Sequence, residues 1–318
     1  MPPLPPPRPT SQPMPRPTPR PTSRPPTVPW DRIVAGEPTD EFTSRPPAEH
    51  AFEHADTECD GWSTERLTLR TASVRGDKHR YYRQPRQDAV RTALHEATGN
   101  VVFAVADGVS GAAHSELGAQ EACRAVVEAL LHQLTTNQRP LDLRAAVHHA
   151  AARMHELTRW MLGLAPTEQQ NPDAVARLVG TTLVAGVIRP DPEGAVVGLC
   201  RVGDSGAWIF DRAGRQYRPV FRSKTGNDVD FVSNEVAPMP LVSDQLEEKV
   251  QHLTAYDTLL VGTDGFGDPL GDGDGPVGDL FAAVLSNPPP PLWFAHALDF
   301  SKATFDDDRT LLAVWPTL

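Results

Sequence analysis

Hydrophobic and polar positions change their rhythm several times along the chain. Arg66–Val74 alternates apolar and polar residues as a half-buried strand does, Ala89–Leu94 offers a second such stretch, and Val101–Ala106 is an unbroken apolar run short enough for a buried strand. The period then lengthens. Ala119, Ala122, Cys123, Val126, Val127, Leu130 and Leu134 share one face of a helix over Ser115–Leu134. A second helix is predicted over Leu141–Leu162, and Gly163–Asp173 reads as a polar loop. Strands are expected over Leu178–Ile188, Ala195–Val202 and Ala207–Phe210, then near Tyr217–Phe221, Lys249–Leu253 and Thr258–Thr263. Helices near Pro276–Leu285 and Pro291–Leu298 precede a closing strand, Thr310–Trp315, while Arg222–Leu241 has little period and reads as an ordered loop or flap. Strands outnumber helices and short turns join most neighbours, so the pattern predicts an α+β fold of antiparallel sheets with helices packed outside.

Composition divides the chain at its start. Of the 33 prolines, 14 lie between Pro2 and Pro29, together with Arg8, Arg16, Arg20 and Arg24 and no acid. That segment carries +4, which leaves −15 of the net −11 to residues 31–318. Residues 1–60, rich in Pro, Arg, Thr and Ser and then in scattered acids, are expected to be a disordered tail and linker, and residues 61–318 the folded domain. Repeats such as Pro15-Arg16-Pro17-Thr18-Pro19 suit the aromatic groove of a protein partner, although a plain solvated tail is the simpler reading.

So acidic a body argues against duplex nucleic acid as a partner, since clustered Lys and Arg are needed there, and it repels an anionic membrane surface. No apolar run approaches the roughly 18 residues of a membrane span and no secretory leader is visible, so the expected address is cytoplasmic. Cys59, Cys123 and Cys200 are odd in number and far apart, as ordinary packing residues are.

The chemistry gathers at strand ends. Val101–Ala106 runs into Asp107-Gly108, Leu199–Gly203 into Asp204-Ser205-Gly206, and Leu259–Thr263 into Asp264-Gly265. One Asp-Gly is ordinary turn chemistry. Three acidic strand ends, with Gln87-Asp88 and Asp306-Asp307-Asp308 besides, describe a rim of carboxylates that would repel one another unless a cation neutralised them. Such hard oxygen donors suit Mg²⁺ or Mn²⁺, and two such ions suit phosphoester hydrolysis.

In order and type these residues resemble the metal-dependent PPM phosphatases, the protein phosphatase 2C-type serine/threonine phosphatases, and within them the bacterial branch. The resemblance covers roughly residues 65–318: Gln87-Asp88-Ala89, Ala106–Gly111 (ADGVSG), Gly180-Thr181-Thr182-Leu183, Val202-Gly203-Asp204-Ser205, Thr263-Asp264-Gly265 and Asp307-Asp308-Arg309-Thr310. It implies an αββα sandwich with a dinuclear Mn²⁺ or Mg²⁺ centre, acting on phosphoserine and phosphothreonine proteins through a metal-bridged water without a covalent phosphoenzyme. Carried over, Asp107 bridges the ions, Gly108 offers its carbonyl, Asp88 holds an ion or its waters, Asp264 and Asp307 complete the set, and Asp204 matches an acid that supports a third ion in some members. Arg83, five residues before Asp88, matches the phosphate-binding arginine, with Arg80 and Arg86 as rivals.

Three positions depart from the pattern. Val109 stands where many relatives carry a histidine proposed as general acid, Arg86 replaces an Asn, and Asp308 follows the last metal Asp in place of Asn; the last two changes are expected to add one positive and one negative charge near the rim. Asp268–Asp279 is acid- and glycine-rich but lacks the ligand pattern of a calcium loop, and His148, His149 and His155 read as surface or packing residues of a helix. Two further readings stand beside the phosphatase: a catalytically weak, metal-binding sensor or scaffold that recruits partners through the Pro-rich tail, and hydrolysis of a small phosphometabolite.

Overall fold

The computed structural model describes residues 30–40, 43–47, 52, 54–221, 238–242 and 246–317. Along the chain the elements are β1 (Thr57–Ser63), β2 (Leu67–Val74), α1 (Asp77–Tyr82), β3 (Ala89–His95), β4 (Asn100–Ala106), α2 (Ser115–Thr135), α3 (Leu143–Met161), α4 (Pro172–Val179), β5 (Leu183–Asp191), β6 (Gly194–Val202), β7 (Gly206–Asp211) and β8 (Gln216–Pro219), then β9 (Glu247–Thr254), β10 (Asp257–Gly262), α5 (Asp264–Leu270), α6 (Pro276–Val284), α7 (Pro291–Leu298) and β11 (Arg309–Pro316).

The strands form two antiparallel sheets, one ordered β1-β2-β11-β10-β7-β8 and the other β3-β4-β5-β6-β9. Their facing sides interdigitate through Leu69, Phe103, Val105, Ile188, Leu199, Ile209, Leu259 and Val314. On the outer face of the five-stranded sheet α2 and α3 cover Val102, Ala104, Ala185 and Val187 with Ala122, Val126, Leu130, Val147 and Met154. On the outer face of the other sheet α5, α6 and α7 bring Phe266, Phe281 and Phe294 onto Ala72, Leu311 and Trp315. Layers on both faces explain why β4 and β11 are buried along their whole length, with unbroken apolar runs over Val101–Ala106 and Leu311–Trp315 rather than alternation. The αββα arrangement expected from the sequence is the arrangement found. Among the described residues no helix is long and apolar enough to cross a membrane.

The domain reaches further towards the N-terminus than residue 61. Thr57–Ser63 pairs along β2, Arg32 salt-bridges Asp77 at 2.6 Å, and Ala35 is buried in the cluster beneath α6 and α7. Composition hides this because an edge strand and a short strap need few apolar residues. A helix, α4, also replaces the start of the strand expected at Leu178. Asn171 caps it by accepting a hydrogen bond from the Asp173 amide, Pro172 occupies its first turn, and the strand begins at Leu183. The expected flap Arg222–Leu241 lies largely outside the described residues.

Candidate metal centre

The registers bring the acidic residues to one end of the sandwich. Ala89 pairs with Ala106 and Leu183 with Val202 in one sheet; Gly262 pairs with Gly206 and Leu311, and Arg309 with Val74, in the other. The end where β4, β6 and β10 stop is therefore the end where β3, β5, β7 and β11 start, so Asp88, Asp107, Asp204, Asp264 and Asp307 all emerge there.

Hydroxyl-bearing residues fix this rim. The Asp107 carbonyl accepts hydrogen bonds from Thr181 Oγ1 at 2.7 Å and the Thr182 amide at 2.8 Å, the Asp107 amide donates to Thr182 Oγ1, and Thr182 Oγ1 shares a hydrogen bond with Ser205 Oγ. The Thr-Thr and Asp-Ser motifs thus brace the strand end that carries Asp107. Thr263 ties the two sheets together, donating from Oγ1 to Asp88 Oδ2 at 2.8 Å and accepting from the Thr310 amide at 3.0 Å. Gly108 has no room for a side chain: a β-carbon there would lie 2.8 Å from the Gln87 carbonyl oxygen and 2.8 Å from Ser115. This close approach leaves the Gly108 backbone at the rim.

The electrostatics are those of acids lacking a counter-charge. Burial pushes Asp88 well above the ordinary carboxylate range, and the charges of Asp308 and Asp264 push it further. Asp107 is driven the same way by burial, by Asp88 and Asp264, by a hydrogen bond it donates to Asp264, and by Asp307. Asp264 is raised by burial and, despite that hydrogen bond, by Asp307, Asp204 and Asp268. Asp88 Oδ1 is buried without a hydrogen-bond partner. A hard divalent cation answers both observations: it neutralises the cluster and gives the orphaned oxygen a partner, with the Gly108 carbonyl as a further donor. The donor set fits Mg²⁺ or Mn²⁺.

Asp204 sits in the β6–β7 turn, exposed, at the edge of a cleft of about 390 Å³ that Asp264, Asp268, Trp208 and Tyr217 also line. Of the three candidate arginines, Arg80 is taken up by Asp56, Asp77 and Asp299, and Arg86 is buried against Glu58 and the carbonyls of Ala55 and Ser73. Arg83 stands exposed at the C-cap of α1 in left-handed conformation, φ 62°. His114 is half-exposed at the start of α2 and makes no capping hydrogen bond with its side chain.

Arg86 does not bring its charge to the rim surface as expected, and Asp308 bears on Asp88 from behind the rim rather than from its surface. Both are buried. Asp308 accepts from the Gly76 amide at 2.7 Å and the Gln87 amide at 2.6 Å, and lies 2.9 Å from His79 Nδ1. His79, whose other nitrogen is 3.8 Å from Asp307, is a residue that no motif in the chain singles out. Burial disfavours its cation, but Asp308 and Asp307 outweigh that and raise its pKa. His79, Asp307 and Asp308 place ligand atoms within 4.8 Å of one another. With both Asp308 oxygens held by backbone amides, this group is better suited to support Asp307 from behind than to form a separate metal site.

The family model described as Protein phosphatase 2C matches residues 75–291, and the chain belongs to that family. No curated protein matches in a sequence search. Among solved structures, PppA, a regulatory component of the type VI secretion system of Pseudomonas aeruginosa, is similar at TM-score 0.52 and 19% identity, covering 81% of this chain and all 100% of that one. The catalytic domain of the serine/threonine phosphatase PstP with two manganese ions aligns at TM-score 0.51 and 18% identity over 80% of this chain and 99% of its own. RsbX with magnesium aligns at TM-score 0.50 and 11% identity over 82% of this chain and 100% of its own. At such identities these likenesses establish the fold.

Proposed function

We propose that this chain is a metal-dependent protein serine/threonine phosphatase. The observation that carries the reading is the convergence of Asp88, Asp107, Asp264 and Asp307 on one end of a protein phosphatase 2C sandwich, with the pKa values of Asp88, Asp107 and Asp264 raised and a buried Asp88 oxygen that has no hydrogen-bond partner among the described residues. On this reading Asp107, the Gly108 carbonyl, Asp88, Asp264 and Asp307 hold two Mn²⁺ or Mg²⁺ ions, and Asp204 serves a weaker third. When bound, the ions supply Lewis acidity and an activated water for attack on phosphorus. Arg83 receives the phosphate oxygens through paired hydrogen bonds, the role for which a planar guanidinium is shaped. Thr181, Thr182 and Thr263 hold the carboxylates in register. The substrates are phosphoserine and phosphothreonine side chains of proteins.

Val109 gives the leaving oxygen no proton, and general-acid help is typically worth about 10²–10⁴-fold. An aryl phosphate should therefore turn over faster than a phosphothreonine peptide. The test is hydrolysis of both with EDTA, Mg²⁺ or Mn²⁺, comparing wild type with Asp264→Asn. Metal-dependent turnover that the variant loses by about a thousandfold supports the reading. Metal binding without turnover on either substrate would overturn it in favour of the sensor or scaffold.

A further inference from the structure

At the end of the sandwich opposite the acids, a cavity of about 490 Å³ opens between the outer face of the five-stranded sheet and the α2–α3 loop. Small-ligand sites typically occupy about 300–1,000 Å³. Its floor is a row of residues paired across three strands, Val187 on β5, Gly198 on β6 and Val250 on β9, with Val196 beside them. Leu134 and Leu143 close the wall from α2 and α3. The space exists because Gly198 withholds a side chain: a β-carbon there would meet nothing within 4 Å. Glycine inside a strand weakens it, and one beneath open space leaves room for a ligand to approach the backbone closely. Val250, in the same row, is 66% exposed, an apolar surface left uncovered at the mouth.

The rim has a sign. Arg139 and Arg189 line it, and Glu248, which lies 4.0 Å from Arg144, is the one acid among the described lining residues. Arg189 has no acidic partner among the described residues. Lys249 borders the cavity through its backbone, since it pairs with Leu199, whose side chain faces the other sheet. Two arginines over an apolar floor stand out on a body whose net charge is so negative. Helix α2 spans 21 residues from Ser115, which abuts Gly108, towards Leu134, so at about 1.5 Å per residue the cavity lies about 30 Å from the acids.

We propose that this cavity is a second ligand site, for a small amphipathic anion: an alkyl or aryl chain seated on Val187, Gly198 and Val250, with a carboxylate or sulfonate held by Arg189 and Arg139. It goes beyond the phosphatase reading and does not depend on it.

The test is titration of the metal-loaded full chain with dodecanoate, with its uncharged counterpart dodecanol, and with the fluorescent aryl sulfonate 8-anilinonaphthalene-1-sulfonate. Wild type should bind both anions saturably and one to one, and dodecanol about tenfold more weakly, because the charge-assisted contacts are lost. Gly198→Phe, which fills the floor, should abolish binding of all three while leaving metal-dependent aryl phosphate hydrolysis unchanged. Should Gly198→Phe fail to fold by circular dichroism, the exposed double variant Arg139→Glu, Arg189→Glu serves: it should weaken dodecanoate about tenfold and spare dodecanol. Absence of saturable binding, equal affinity for the two twelve-carbon probes, or equal binding by Gly198→Phe would overturn the proposal. So would a wild-type dimer that Val250→Lys converts to monomer, since a second copy would then be the occupant.

Discussion

Asp308 follows Asp307 in the chain but serves the backbone rather than the rim, accepting from the amides of Gly76 and Gln87. Asp308→Ala should orphan both buried donors at roughly 1–3 kcal/mol each, read as a lowered Tm in the metal-free and metal-loaded protein alike. The rim carboxylates behave differently, because folding raises the pKa of Asp88, Asp107 and Asp264 above the ordinary 3.8. A raised value means that the folded state holds the proton more tightly than the unfolded chain. Their contribution to stability is therefore full below the ordinary value and is lost as pH rises through the raised values. The EDTA-treated protein should lose Tm as these groups ionise, and Mn²⁺ should restore it, so the gap between the two melting curves should widen as pH rises above the ordinary carboxylate value of 3.8. In Asp107→Asn that widening should shrink; a gap independent of pH would contradict the origin assigned to these shifts.

Between elements the close approaches are backbone to backbone. A β-carbon on Gly265, in the first turn of α5, would lie 1.9 Å from the Asp308 carbonyl oxygen just before β11. Gly265→Ala should therefore push α5 and the Asp307 loop apart, weakening Mn²⁺ binding in calorimetry by about tenfold or more and lowering Tm. The central strands could be read from the sequence because layers on both faces demand unbroken apolar runs, as in Val101–Ala106 and Thr310–Trp315. The end of α4 could not be separated from β5, since Leu178 and Val179 join the apolar run of Leu183–Ile188 across only Gly180 and two threonines. The same division holds at the metal centre. Acids at strand ends show in a one-dimensional string. The Thr263 bond to Asp88 spans 175 residues and the Gly76 bond to Asp308 spans 232, so His79, Thr263 and Asp308 acquired their roles only through the fold.

For the molecule as a whole, the strap before β1 determines how much of the N-terminus the domain needs. Arg32 bonds Asp77 and Asp299, the Ala35 amide donates to the Ser301 carbonyl, and β1 covers the free edge of β2. A chain starting at residue 30 should hydrolyse an aryl phosphate as the full chain does. One starting at residue 61 should melt several degrees lower and aggregate through the bared edge of β2, as size-exclusion chromatography will reveal.

The position of β11 has a consequence for synthesis. It lies between β2 and β10, and Asp307 stands two residues before it, while the other acids of the proposed two-ion set are Asp88, Asp107 and Asp264. A ribosome thus makes three of the four acids long before the strand that wedges the six-stranded sheet together, and such long-range closure is slow. On the proposed reading, until that strand has left the exit tunnel the nascent chain has no completed pocket in which to gather a divalent ion.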